Sequence, residues 1–295
     1  MTCYHPLLAY KHEGKVVFNK PFAFARGFNL PCGQCIGCRL NYSRQWAIRC
    51  VHEAQMHEEN CFITLTFNDE ALNSRKNPLS LDVEEFQKFM KRLRKKVGKK
   101  VRFFHCGEYG EKNGRPHYHA LLFGYDFPDK KLWSKRDDVM LYTSQQLQDL
   151  WPHGFVTIGN MNFHTAAYVA RYIMKKQTGE NSEEHYTRWD PLTGEGSQIK
   201  PEYCTMSRRP GIGATWLEKY KADVYPHDYV VINGHKVKPP RFYDKQLPED
   251  EYEQLKAQRI AVADDPIDKY GPEMDKLWVS ETIKIKALEK LVREL

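Results

Sequence analysis

No apolar run of about 18 residues occurs in this sequence, so nothing in it reads as a transmembrane helix. The start, Met1-Thr2-Cys3-Tyr4-His5-Pro6, lacks the charged and apolar regions of a signal peptide, which leads to the expectation of a cytosolic protein. No G-x-x-x-x-G-K-[ST] loop is found, so nucleotide hydrolysis on a P-loop is not expected. Internal repeats and long low-complexity tracts are also missing, which argues against a repeat architecture. What is present is a chain of 295 residues, long enough to bury a real core in one main domain with additions. Its 45 basic residues against 38 acidic ones give a formal net charge of +7, the sign expected for a polyanion partner. Aromatic residues make up 13%, including 17 tyrosines, more than a core alone needs. The eight cysteines should be mostly reduced in a cytosolic chain.

The stretch that organises the rest is Arg115-Pro116-His117-Tyr118-His119-Ala120-Leu121-Leu122-Phe123-Gly124. It reads as a buried strand ending at Gly124. Residues two apart on a strand share a face, so His117 and His119 present two imidazoles side by side, as a divalent metal needs. Val101–Tyr109 reads as the preceding strand, and Asn113-Gly114 is a hairpin signal between them. A turn centred on Lys112 and Asn113 sets Glu108 opposite His117; a turn of Asn113-Gly114 alone sets it opposite His119. Either register puts the carboxylate on the histidine face, whereas a slip of one residue loses it. Two imidazoles and a carboxylate with open positions suit Mg²⁺ or Mn²⁺. His105, three residues from Glu108, faces the other way and reads as structural.

In chain order, Pro31-Cys32-Gly33-Gln34-Cys35-Ile36-Gly37-Cys38 forms a thiolate knuckle. With Cys3 as a fourth sulfur it suits a structural Zn²⁺, with Cys50 or His5 as alternative fourth ligands. An iron–sulfur cluster is the rival, but Tyr42 and Ser43 stand where a further cysteine would be expected. Leu40–His57 reads as a helix and Cys61–Phe67 as a strand alternating in period two. Asp82–Val97 is a helix with an acidic start and a basic second half. Lys91, Arg92 and Lys95 on it either contact phosphate or simply suit the helix dipole. Tyr125–Met140 reads as a loop, Ser144–Leu150 as a short helix and Gly154–Ile158 as a strand. Thr165 is placed to cap a helix reaching about Lys176. Gln177–Gly196 is polar, and Ser207–Gly213 is a basic turn whose Arg208 and Arg209 are candidates for DNA contact. Asn233-Gly234 marks another hairpin, and Pro248–Ala263 and Met274–Leu295 read as charged helices.

The helix after Thr165 carries the second chemical element. At 3.6 residues per turn, Tyr172 falls about 40° from Tyr168 and Lys175 about 20° to its other side. Two phenols and an ammonium thus share one stripe, while Ala166, Val169, Ala170 and Ile173 form an apolar one. A phenol can attack phosphorus once deprotonated, and a nearby cation favours that.

Taken together, Phe62-Ile63-Thr64-Leu65-Thr66, Glu108 with Pro116-His117-Tyr118-His119, and Tyr168-x3-Tyr172-x2-Lys175 follow one another in this order. The set resembles the rolling-circle replication initiators of the HUH endonuclease superfamily, two-tyrosine branch. The cysteine knuckle, Cys106-Gly107-Glu108-Tyr109-Gly110 and Ser207-Arg208-Arg209-Pro210-Gly211-Ile212-Gly213 are similar to the gokushovirus group of microviruses. The motifs span roughly residues 30–220, several agreeing in order.

The resemblance implies an α+β fold with an RRM-like core: an antiparallel sheet of about five strands with helices on one face. The expected domains are 1–58 with the knuckle, 59–180 as the nuclease core and 181–295 as an extension. It implies that Glu108, His117 and His119 hold the catalytic metal and that Tyr168 and Tyr172 are nucleophiles. Lys175 matches the motif's lysine, with Lys176 as the fallback. The implied reaction nicks single-stranded or melted origin DNA, leaving a 5′-phosphotyrosine and a free 3′-OH, and later rejoins the strand. The implied setting is the cytoplasm of a bacterial host, with a host helicase and polymerase as partners, no membrane and no nucleotide cofactor. Two other readings stay open: a non-catalytic single-stranded DNA-binding protein, and a metal hydrolase that uses water as nucleophile.

Overall fold

The computed structural model describes residues 3–110, 113–136, 139–172, 182–189, 194–263 and 274–289. In chain order the elements are β1 (Leu7–His12), β2 (Lys15–Val17), β3 (Gly27–Leu30), α1 (Ile36–Ala54), β4 (Asn60–Leu65), α2 (Asp69–Asn73), α3 (Val83–Val97), β5 (Arg102–Tyr109) and β6 (Pro116–Phe123). There follow β7 (Lys131–Arg136), β8 (Val139–Thr143), α4 (Gln145–Leu150), β9 (Val156–Asn160), α5 (Phe163–Arg171), α6 (Ser182–His185), β10 (Thr187–Trp189), β11 (Gly196–Gln198) and β12 (Tyr203–Met206). The last are α7 (Ala214–Val224), β13 (Val230–Ile232), β14 (His235–Val237), α8 (Arg241–Asp244), α9 (Glu249–Ala263) and α10 (Met274–Glu289). The fold is α+β. No helix among the described residues is long and apolar enough to cross a membrane.

The chain divides into two compact units, 1–42 with 244–295, and 43–243. The first holds an antiparallel sheet in the order β2-β1-β3, the cysteine knuckle, α9 and α10. In it, both oxygens of Asp244 accept from the Arg259 guanidinium, which ties α9 to the segment before it.

The second unit is built on a seven-stranded antiparallel sheet in the order β12-β5-β6-β4-β9-β8-β7. Its central strands are buried on both faces. On one side α3 inserts Phe86, Phe89, Met90 and Leu93 against Ile63, Leu65, Tyr118, Ala120 and Leu122. Those four residues recur at helical spacing, and each stabilises by about 1.5–3 kcal/mol once buried. Asp82 caps α3 by accepting from the Glu84 N–H at 3.1 Å, and Gly98, at φ 66°, ends it in the left-handed conformation a side chain would strain. On the other side, Ala47 and Cys50 of α1 and Ala166, Tyr168, Val169 and Ala170 of α5 cover Phe62, Phe104, Cys106, Leu121 and Phe123.

Several expectations need correcting here. The sheet has seven strands rather than about five, and helices lie on both faces rather than one. Ala120-Leu121-Leu122-Phe123 is a continuous apolar run because both of its sides are covered. Tyr125–Met140 is not a loop, since β7 and most of the β7–β8 hairpin fall inside it. The first long helix starts at Ile36, within the knuckle, rather than at Leu40. Asn162, not Thr165, is the N-cap of α5. Its side chain accepts from the Thr165 N–H while the Thr165 hydroxyl accepts from the Asn162 N–H, both at 2.9 Å, a capping box.

Gly154 sets the approach of the chain to β9. A Cβ there would sit 2.6 Å from the Phe67 Cα and the Thr66 carbonyl oxygen. The close approach serves the hydrogen bonds from Thr66 N–H to Phe155 O, 3.1 Å, and from Asn68 N–H to His153 O, 2.9 Å. Gly154→Ala should therefore destabilise the protein by about 2–3 kcal/mol, because the obstacles are backbone atoms. Denaturant unfolding checks this, and a midpoint equal to the parent's would contradict it.

Candidate active site

The β5–β6 hairpin pairs Glu108 directly with His117 and Cys106 with His119, the first of the two registers compatible with a shared face. The Glu108 Oε1 atom lies 2.7 Å from His117 Nε2 and 2.8 Å from His119 Nε2. One carboxylate oxygen thus receives two imidazoles, and one ligand atom from each of the three residues lies within 4.8 Å of the others. Glu108 and His119 are buried; His117 is partly open. Burial alone would raise the Glu108 carboxyl, but the hydrogen bonds and charges of His117 and His119 outweigh it and hold it at about 2. It is therefore an anion ready to act as a ligand.

The donor chemistry of the triad fits a cation. His117 Nδ1 lies 3.1 Å from the Arg115 carbonyl, which can only accept, so Nδ1 carries a proton. In a neutral ring, Nε2 would then turn a lone pair toward the carboxylate. Only a second proton or a cation resolves that contact. His119 is held from behind by Thr64, whose Oγ1 is 2.9 Å from its Nδ1. Phe62 stacks on one side of the His119 ring at 5.5 Å, and Tyr172 stacks at 5.7 Å with an interplanar angle of 14°. The orienting parts played by Thr64 and Phe62 were not assigned from sequence. The signal was there in the period-two face Phe62, Thr64, Thr66 of the neighbouring strand.

Helix α5 delivers the tyrosines to the same place. Tyr168 meets His119 edge-on at 5.2 Å, and Tyr168 and Tyr172 meet each other edge-on at 5.0 Å. Both are buried. Burial first, and then the nearby Glu108 charge, push both phenols well above the usual tyrosine range. The Arg171 guanidinium lies 5.7 Å from the Tyr168 ring centroid. Lys175 and Lys176 fall outside the described residues.

The other singled-out cations lie elsewhere. Lys91, Arg92 and Lys95 are on α3, which covers the opposite face of the sheet. Arg92 donates twice to the Leu150 carbonyl, at 3.0 and 2.8 Å, and so finishes α4. Arg208 and Arg209 are exposed but follow Ser207, which bonds Phe103 near the start of β5. Glu108 is five residues further along that strand, about 17 Å away. His105 also faces α3, stacked on Phe86 at 3.5 Å.

In the first unit, Cys3 joins Cys32, Cys35 and Cys38, their sulfurs all within 4.8 Å of one another. His5 instead meets Glu281 at 2.6 Å, and Cys50 is buried in the second unit. Backbone N–H groups point at the sulfurs: Cys32 at Cys3, 3.2 Å; Cys35 at Cys32, 3.3 Å; Tyr4 at Cys35, 3.4 Å. Burial opposes ionisation of Cys35, but the Tyr4 and Cys38 N–H groups and neighbouring thiols bring it down to about 6. Burial and the neighbouring sulfurs push Cys38 up to about 12. Four crowded thiols cannot all ionise unless a cation offsets them, and a tetrahedral zinc does so. Purified protein should carry about one zinc per chain, lost in Cys35→Ser. Elemental analysis that finds no zinc, or finds iron with sulfide, overturns that assignment.

Comparison with known proteins adds a family to this geometry. A family of replication-associated proteins, described by its member ORF2, matches residues 60–177, which include the triad and both tyrosines. The replication-associated protein VP4 of Bdellovibrio phage phiMH2K is 35% identical over 256 residues, covering 82% of this chain and 76% of the relative. The chain belongs to the ORF2 family of replication-associated proteins. The replication-associated protein ORF2 of Spiroplasma virus 4 is 32% identical over 231 residues, 74% of this chain and 68% of the relative. ORF4 of Chlamydia phage 1, also a replication-associated protein, is 30% identical over 229 residues, 75% of this chain and 54% of the relative. No solved structure matches the chain. The likeness to phage replication proteins read from the motifs is borne out.

Proposed function

We propose that this replication-associated protein cuts and rejoins a single DNA strand at a replication origin, as an HUH endonuclease with an RRM-like core and a two-tyrosine centre. The observation that carries the reading is the convergence of Glu108 Oε1 on two imidazole nitrogens, with both tyrosine rings packed on His119. Glu108, His117 and His119 would hold Mg²⁺ or Mn²⁺. When bound, such an ion draws charge from a non-bridging oxygen of the scissile phosphate.

The chain's own groups do the rest. Thr64, Phe62 and the Arg115 carbonyl fix the two imidazoles. A phenol of Tyr168 or Tyr172 attacks phosphorus, its Oη–P bond forming as the P–O3′ bond breaks. Because both phenols are held neutral, the phenol proton must leave during the step and reaches the departing O3′ through solvent. The products are a 5′-phosphotyrosine and a 3′-OH that a host polymerase can extend. The phosphodiester energy is kept in the tyrosine ester, so resealing requires no nucleotide. With two tyrosines, one holds the 5′ end while the other cuts the regenerated origin.

The test is a denaturing gel of the protein with 5′- and 3′-labelled single-stranded oligonucleotides from its own genome's origin. The expected result is a protein adduct with the label of the 3′ fragment and a free 3′-OH on the other. Cutting without an adduct would replace the phenols by water as nucleophile. Binding without cutting would leave a single-stranded DNA-binding protein.

A further inference from the structure

Two large aromatic side chains stand in solvent on the sheet face that carries Glu108, His117 and His119. Trp133 is 62% exposed and Phe155 47%, and their ring centroids are 5.3 Å apart. Both positions follow from the strand register. Leu65 pairs with Tyr118, so one residue further on Thr66 lies beside His117, and the Thr66 N–H donates to the Phe155 carbonyl. Glu108, His117, Thr66 and Phe155 therefore form one row across the sheet. At the usual strand spacing Phe155 is about 10 Å from His117.

Trp133 reaches this face through an irregularity. Leu132 pairs with Tyr142 and Ser134 with Leu141, so Trp133 is an extra residue in β7. Leu141 flanks Gly159 together with Phe62, which marks it as facing the active-site side, and Tyr142 packs with the α3 side. The bulge turns Trp133 to the side of Leu141, where it meets Phe155. Alternation on either side of the bulge puts Lys131 and Arg136 on the same face, and both are exposed. Asp137 and Asp138, at the hairpin turn, lie outside the described residues.

An exposed tryptophan on an edge strand adds nothing to the core and invites unwanted pairing, so its retention needs a use. Flat aromatic faces between cations, in line with a phosphate-cutting site, suit unpaired bases. Bases in a duplex are already stacked on each other; those of a single strand are free to stack on protein. We propose that Trp133 and Phe155 form a stacking platform for bases of single-stranded DNA whose phosphate reaches Glu108, His117 and His119, with Lys131 and Arg136 against neighbouring phosphates. This rests on the reading of that site as a DNA-cutting centre.

The experiment is fluorescence anisotropy of labelled oligo(dT) in EDTA, where binding is read without cutting. Trp133→Leu and Phe155→Leu should each weaken binding about tenfold and the double variant about a hundredfold. Trp133→Tyr should stay within about threefold of the parent, because it keeps an aromatic face. The salt dependence should be unchanged in these variants and shallower in Lys131→Ala/Arg136→Ala, since only the latter loses phosphate contacts. A double leucine variant that binds like the parent overturns the platform, as does a Trp133→Tyr variant as weak as Trp133→Leu. So does a parent that self-associates through Trp133 with no change in oligo(dT) affinity. If the parent forms an adduct with origin DNA while the double leucine variant binds as tightly as it does, only the platform falls. If the platform variants lose binding and the parent forms no adduct, the platform stands and the nuclease reading falls.

Discussion

Tyr168→Phe/Tyr172→Phe protein should form no covalent adduct with single-stranded origin DNA, while still binding that DNA and still binding Mn²⁺. The change removes both oxygens able to bond phosphorus and little volume. The rings that pack on His119, at 5.2 and 5.7 Å, are kept. Loss of a hydroxyl should cost about 1 kcal/mol or less in stability, so a failure to cut cannot be blamed on unfolding. The single variants should behave differently from the double. The two rings touch, at 5.0 Å, so either phenol can approach one bound phosphate with a small movement. Tyr168→Phe or Tyr172→Phe should therefore still cut once and form an adduct through the remaining phenol. Neither should sustain repeated rounds of cutting and joining. The measurement is the adduct band on a denaturing gel, followed over successive turnovers. An adduct that persists in the double variant puts the nucleophile elsewhere. A single variant with normal multi-round replication leaves covalent catalysis standing and removes the alternation.

The placement of these side chains was open to reading because short-range rules govern it. A strand's period of two joins His117 to His119, a tight turn ties Glu108 to them, and helical spacing joins Tyr168 to Tyr172. That the helix would meet the hairpin was not encoded in any local pattern. It follows from Ala166, Val169 and Ala170 burying against Phe104, Leu121 and Phe123, a choice between two apolar faces of one sheet. The same ambiguity hid the second helical layer, since a strand covered on both sides has no polar face to announce it. β7 escaped notice for a different reason. Lys-Leu-Trp-Ser-Lys-Arg does not alternate, because the bulge at Trp133 breaks the period that identifies a strand. β12 joins β5 from nearly a hundred residues away, a distance over which no spacing rule operates. The basic residues of α3 show the limit of reading charge alone. Arg92 offers its guanidinium to the Leu150 carbonyl, and the helix lies across the sheet from the tyrosines.

His117→Ala and His119→Ala should each abolish cutting while leaving single-stranded DNA binding nearly intact, because that binding comes from phosphate contacts and stacking. EDTA should reproduce the effect in the parent, and added Mn²⁺ or Mg²⁺ should reverse it in the parent but not in the variants. The two histidines should differ in their secondary cost. His119 is buried beneath Phe62 and Tyr172 and bonds both Thr64 and Glu108, so its loss opens a cavity and leaves a buried carboxylate with one partner fewer. A stability loss of about 2–3 kcal/mol is expected there. His117 is partly open to solvent, and its removal should cost less, about 1 kcal/mol. Calorimetric titration with Mn²⁺ separates metal binding from folding. Glu108→Ala should weaken it by at least about 100-fold, since losing even an outer partner of a metal ligand costs 10–100-fold. If Glu108→Ala takes up Mn²⁺ as the parent does, the third ligand is another group. Full cutting in EDTA would remove the metal from the reaction altogether, and would leave the buried carboxylate between two imidazoles as a structural ion cluster.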